Sequence, residues 1–171
     1  KGTLVARLLR EVPDCWVSVS ATTRSPREGE QEAVQYFFKN DEEFDALVNE
    51  DGLLEWATYA DHRYGTPKSA VLGHIAKGEQ VVLEIDVQGA FQVKDKLPEA
   101  HLVFIEPPSL TVLEERLRGR GTETDEVIAS RMEAAQAELA RKMDYDIRIV
   151  NDDLETATRQ LVDYVNEKAE E

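Results

Sequence analysis

The run Val81-Val82-Leu83-Glu84-Ile85 is apolar at all but one position and passes directly into the polar stretch Asp86-Val87-Gln88-Gly89. A strand with one wet face alternates apolar and polar residues. A nearly continuous apolar run bounded by polar residues instead fits a strand covered on both faces, as in a parallel sheet. The rest of the chain repeats this grammar. Strands are expected at 16–19, 102–105 and 147–150. Between and beyond them helices are expected at 4–10, 68–76, from Gln88, after the cap Ser109, from Thr124 or Asp125 to about 142, and over 154–168. Strands alternating with helices predict an α/β fold with a parallel sheet flanked by helices. Residues 31–66 break the pattern. Short strands at 36–38 and 53–59 bracket a helix whose start is written in Asn40-Asp41-Glu42-Glu43, an N-cap with Glu three residues on. They predict a small mixed α+β lobe set into the core.

With 171 residues and no linker, repeat or low-complexity tract, the chain is expected to be one domain. Its core is assigned to 1–30, 67–117 and 132–171, the lobe to about 31–66, and a short lid to about 118–131. Thirty-five acidic against 20 basic residues give a net charge of −15. That field repels a polyphosphate backbone, so nucleic acid is not an expected partner. No apolar run is long enough to span a membrane, and no signal peptide is visible. Cys15 is the only cysteine, which excludes an intrachain disulfide and fits a cytoplasmic setting. Beside Trp16, it is expected to be a buried structural thiol.

The segment Ser18-Val19-Ser20-Ala21-Thr22-Thr23-Arg24-Ser25-Pro26-Arg27-Glu28-Gly29-Glu30 sets two guanidinium groups beside a run of hydroxyls on a loop stiffened by proline. Paired arginine forks and hydroxyls suit a compact dianion such as a nucleotide monophosphate. Further on, polar residues are seeded into apolar segments: Tyr36 before Phe37-Phe38, Glu55 between Leu54 and Trp56, then Arg63-Tyr64-Gly65-Thr66-Pro67 and Glu84-Ile85-Asp86-Val87-Gln88-Gly89-Ala90. Taken in order, with Gly119-Arg120-Gly121-Thr122-Glu123 and Val150-Asn151-Asp152-Asp153, these segments resemble guanylate kinase over essentially the whole chain. Lys1-Gly2-Thr3 looks like the end of that family's phosphate-binding loop, whose glycines and strand would lie upstream of Lys1. Gly2 stands where a Ser or Thr commonly binds Mg²⁺, so direct metal ligation there is in doubt.

The resemblance implies a P-loop kinase that phosphorylates GMP to GDP with ATP and Mg²⁺. It puts Arg24, Arg27, Tyr36 and Tyr64 around the GMP phosphate and Ser20, Glu55, Thr66 and Asp86 on the guanine and ribose side. The chemistry is sensible, since a carboxylate can accept from both the ring N1–H and the exocyclic amine of guanine, a paired donor edge that adenine lacks. Read by alternation alone, Glu55 could equally face water. On the donor side the resemblance gives Lys1, Gly2 and Thr3 to the phosphates of ATP and Asn151 to the adenine, with Asp86 a candidate for Mg²⁺ through water. Arg116, Arg120 and Arg131 would embrace the transferring group as catalytic cations, while Arg118 faces solvent. The alternative is a guanylate kinase-like module that binds proteins without catalysis; such modules tend to lose these cations, which are present here. Another monophosphate as acceptor is disfavoured by Glu55 and Ser20. The sequence departs from the family where it reads Glu32-Ala33-Val34-Gln35-Tyr36 in place of Asp-Gly-x-Asp-Tyr. Alanine suits the glycine position only at negative φ, and the lost Asp removes a charge next to Tyr36.

Overall fold

The computed structural model describes residues 2–171, so Lys1 lies outside the described residues. The chain enters on α1 (Gly2–Glu11), whose Leu4 and Leu8, one turn apart, are both buried. Next come β1 (Cys15–Val17), β2 (Ser20–Thr22), β3 (Tyr36–Phe38), α2 (Asp41–Asn49), β4 (Leu53–Tyr59), β5 (His62–Pro67), α3 (Lys68–Ala76), β6 (Gln80–Val82) and α4 (Val87–Lys96). The remainder holds β7 (Val103–Glu106), α5 (Leu110–Gly119), α6 (Asp125–Leu139), a 3₁₀ turn at Lys142–Asp144, β8 (Ile147–Val150) and α7 (Leu154–Ala169). The chain falls into two compact units, one of residues 12–100 and one of α1 with residues 101–171.

In the second unit β7 and β8 pair in parallel, from Val103 opposite Ile147 to Glu106 opposite Val150. α5 and α6 make the crossover that such a connection requires. Ser109 and Thr124 cap those helices by accepting from Val112 N and Val127 N. α1 packs on α7, which buries Ala157, Thr158 and Leu161.

The unit of residues 12–100 carries two sheets. β1 and β6 pair in parallel, while the order β3-β2-β5-β4 forms a mixed sheet in which β2 runs parallel to β3 and antiparallel to β5. The α/β expectation holds, and the mixed sheet reaches beyond the expected lobe because Ser20–Thr22, read as part of a loop, is a strand; His62–Pro67, not expected as a strand, is another. β2 is too short to show a pattern and β5 carries the turn residues Gly65 and Pro67, yet each lies between two strand partners. β6 is shorter than its apolar run. Ser18 N donates to Val82 O, after which the chain leaves β1 for β2 and, among the described residues, the ladder with β1 ends. Leu83 and Ile85 still pack, with Trp16 and Val81, around the buried Leu54, Val71 and Val93. A second cluster of Ala21, Phe44 and Leu53 fills the other face of the mixed sheet, under α2. Asn40 and Glu43 close the capping box at the start of α2, Asn40 Oδ1 accepting from Glu43 N (2.8 Å) and Glu43 Oε2 from Asn40 N (2.9 Å). Cys15 is half-buried, and burial with the nearby Asp14 pushes its thiol pKa up, so the thiol stays protonated and structural.

Candidate active site

Strand β4 buries three residues in succession, Leu53, Leu54 and Glu55, which simple alternation forbids. A bulge makes it possible. Leu53 faces Pro67 and Glu55 faces Thr66, so one extra residue is accommodated between them. Leu53 then enters one hydrophobic cluster, Leu54 the other, and Glu55 turns inward at 6% exposure. Bulges re-aim side chains in this way next to functional sites. The carboxylate is fixed at one oxygen, Oε1 accepting from Thr66 Oγ1 at 2.8 Å. Burial, opposed in part by the Thr66 hydrogen bond, raises the Glu55 pKa, and the neighbouring charge of Asp86 adds to the rise.

Asp86 itself is exposed and caps α4, its Oδ1 accepting from Gly89 N at 2.7 Å. One face of α4 then holds β4 in place. Gln92 accepts from Trp56 N (3.1 Å) and donates to Trp56 O (3.2 Å), and Lys96 Nζ donates to Leu53 O (2.7 Å). Glu55, Thr66 and Asp86 thus form one group around the N-terminus of α4, with Glu55 buried where the sequence alone left it free to face water.

A second group forms at the other end of the mixed sheet. Thr22 Oγ1 donates to Arg63 O and accepts from Arg24 N, turning the chain out of β2. The Arg24 guanidinium lies over the Tyr36 ring, 5.2 Å from its centre, and Tyr36 meets Tyr64 edge-on at 5.9 Å. Glu30 clamps Arg24, both carboxylate oxygens accepting from Nη2 at 3.0 Å, while Arg24 Nη1 donates to Ser25 O. Arg27 N also donates to Glu30 Oε2 (3.2 Å). The hydrogen bond from Arg24 holds the Glu30 carboxyl below the usual carboxylate range, so it stays ionised. Ser20 is level with Tyr36 in the register, and the Arg27 side chain is exposed. Arg24, Tyr36 and Tyr64 therefore lie together. Glu30, quoted from the sequence only as part of a motif, emerges as the group that orients Arg24.

The departure at Ala33 has a structural cost. Ala33 sits at φ +63°, with its N–H donating to Tyr36 O, so the negative φ on which alanine's tolerance depends is not met. Gln35 replaces the charge with a local cap, its Oε1 accepting from Gln31 N at 2.7 Å.

In the other unit, Arg116 Nη1 donates to Asn151 O at 3.0 Å, bringing an expected catalytic cation next to an expected ATP-side residue. Arg131 pairs with Glu123 at 2.6 Å. Arg120 caps the C-terminus of α5 and is exposed. Arg118 is half-exposed and tied to Glu114 and Asp125. Gly2 and Thr3 are exposed in the first turn of α1. Among the described residues, no cluster of three or more His, Cys, Asp or Glu could hold a metal ion. No helix among them is long and apolar enough to cross a membrane.

Parallel strand pairs joined through helices, a mixed sheet carrying an arginine–tyrosine cluster and a buried carboxylate together define a nucleotide-binding α/β protein of the P-loop kinase type. The comparisons are narrower. A family model described as guanylate kinase matches residues 1–168. A guanylate kinase of Streptomyces kasugaensis is 54% identical over 162 residues, spanning 95% of this chain and 79% of that protein. One of Streptomyces coelicolor is 52% identical over 166 residues, spanning 97% and 84%. The crystal structure of guanylate kinase from Anaplasma phagocytophilum superposes with a TM-score of 0.79 at 31% identity, covering 99% of this chain and 82% of that one. The chain belongs to the guanylate kinase family.

Proposed function

We propose that this chain transfers the terminal phosphoryl group of ATP to GMP, giving ADP and GDP, and that the groups around Arg24 and Glu55 are the two ends of its acceptor site. The observation that carries the reading is Glu55, a carboxylate 6% exposed on a bulged strand and fixed by Thr66. Burying a carboxylate is costly unless its partners compensate, and a guanine edge offers the N1–H and the amine that would do so. Ser20, Thr66 and Asp86 complete the base and ribose side. Arg24, Arg27, Tyr36 and Tyr64 take the phosphate: the guanidinium groups supply charge, and the two phenols donate hydrogen bonds to phosphate oxygens. Nothing in the site favours the non-catalytic, protein-binding alternative.

Phosphoryl transfer asks for little covalent chemistry from protein and depends on positioning and charge stabilisation. Lys1, Gly2 and Thr3 hold the phosphates of ATP, Asn151 its adenine, and Arg116, Arg120 and Arg131 neutralise the transferring group. Asp86 is exposed and has one oxygen committed to the cap of α4, which would suit contact with Mg²⁺ through water rather than a fixed metal cage. Mg²⁺ bound with ATP supplies charge neutralisation at the phosphates. The setting we infer is the cytoplasm, where both nucleotides are available. Residues 118–131 serve as the lid and residues 31–66 as the GMP lobe of a single catalytic domain. Steady-state phosphoryl transfer with GMP, AMP and UMP tests the reading. GMP should be strongly preferred, and Glu55→Gln should lower kcat/KM for GMP while leaving the affinity for ATP nearly intact. Parental kcat/KM in that variant would remove Glu55 from the acceptor site.

A further inference from the structure

A side chain at Gly89 would collide with the acceptor carboxylate. A Cβ built there lies 2.7 Å from Glu55 Oε2, 3.2 Å from Glu55 Cδ and 3.0 Å from Asp86 Oδ1, the first being closer than real Cβ contacts come. Gly89 lies in the first turn of α4, where alanine would serve a helix better by about 0.5–1 kcal/mol. The helical Gly73 of α3 differs, since a Cβ there meets nothing within 4 Å. We propose that Gly89 is the specificity-determining positioning residue of the acceptor site: the absence of a Cβ lets the Glu55 carboxylate settle against α4 in the orientation that reads guanine.

The argument is steric. α4 and β4 cannot separate to admit a methyl group, because Gln92 holds Trp56 by two hydrogen bonds and Lys96 holds Leu53 O, all from the face of α4 that carries Gly89. The nearest atoms to such a Cβ are the ends of the Glu55 and Asp86 side chains. With Oε1 tied to Thr66, moving Oε2 away from position 89 either breaks that bond or rotates the carboxylate plane off the line joining the two guanine donors. Fold stability would change little and recognition a great deal, since misplacing a reacting or recognition group by about 1 Å can cost on the order of a hundredfold.

The inference rests on the reading of Glu55 as the guanine acceptor, and one set of assays separates the two. IMP keeps the ring N1–H and lacks the exocyclic amine, so the ratio of kcat/KM for GMP to that for IMP reports the carboxylate's orientation, which general loosening of the fold would not alter. Gly89→Ala should lower that ratio roughly tenfold or more, chiefly through the KM for GMP, and should melt within a few degrees of the parent; Gly73→Ala should leave the ratio unchanged. If Gly89 acts through Glu55, Gly89→Ala should add little loss in a Glu55→Gln background. The inference is overturned if Gly89→Ala keeps the parental ratio, slows both nucleotides equally, adds its full loss on Glu55→Gln, or fails to fold. A collapsed ratio in Glu55→Gln beside an intact one in Gly89→Ala overturns the inference alone. An intact ratio in Glu55→Gln overturns the acceptor reading and the inference with it.

Discussion

Glu55 puts recognition and stability in opposition. Its folded pKa is raised by burial first, so folding favours the protonated acid. Its contribution to stability is fully present below the unfolded value and is lost as pH rises through the folded one. At neutral pH the ionised carboxylate is therefore a cost to the empty protein, and Glu55→Gln should melt higher than the parent near pH 7, a difference that shrinks in acid. The same titration has the reverse effect on activity. A protonated Glu55 cannot accept from two donors, so kcat/KM for GMP should fall as pH drops through the raised pKa, and this limb should vanish from the pH profile of Glu55→Gln. A profile unchanged by the substitution would place the titrating group elsewhere. Ala33 is a simpler case. At φ +63° a Cβ costs about 1–2 kcal/mol, part of which glycine gives back through the entropy of its unfolded chain. Urea unfolding of Ala33→Gly should show a gain of about 0.5–1 kcal/mol; a loss would mean that the Cβ makes contacts outweighing the strain.

Among the elements, those with local signals were legible and those defined by distant partners were not. The N-cap of α2, the caps Ser109 and Thr124, and strands 36–38 and 147–150 could all be read from neighbouring residues, because capping and apolar runs are local chemistry. β2 and β5 could not. β2 is only three residues long and β5 carries Gly65 and Pro67, and their pairing joins positions some forty residues apart. The bulge in β4 was equally hidden: Leu-Leu-Glu reads the same with or without an extra residue in register, so the burial of Glu55 was not available from pattern. The candidate site residues could be named by resemblance, but the groups that hold them, Glu30 on Arg24 and Glu123 on Arg131, could not, because carboxylates in polar loops carry no periodic signal. At this scale α5, α6 and the loop joining them carry Arg116, Arg120 and Arg131, the arginines proposed to be catalytic. Arg131→Ala should lower kcat roughly a thousandfold with a smaller change in either KM, as expected of a cation acting mainly in the transition state. An unaltered kcat would return Arg131 to the role of partner to Glu123.

Over the whole molecule the acidic excess sets the terms. The arginines proposed to bind phosphate must work against a net charge of −15, and the pairing of Arg24 with Glu30 would keep that guanidinium oriented until a nucleotide arrives. The strongest acid sensitivity should come from Asp51, held by Lys68 and Lys96 at 2.9 Å each, first by the Lys68 hydrogen bond, with its pKa pulled from 3.8 to about 2. A depressed carboxylate stabilises the fold above its unfolded pKa and loses that effect as pH falls through the folded value. Asp51→Asn, which still suits the left-handed backbone at φ +53°, should melt below the parent near pH 6, and the two should converge near pH 2. A constant gap across that window would assign the effect to something other than charge. The account as a whole turns on where GMP sits, and a crystal structure of the protein with GMP tests it most directly. The account predicts both Glu55 carboxylate oxygens engaged, one with Thr66 and the pair within about 3.2 Å of guanine N1 and the exocyclic amine, with the phosphate against Arg24, Tyr36 and Tyr64. A base lying elsewhere, with Glu55 bonded only to Thr66, would contradict it.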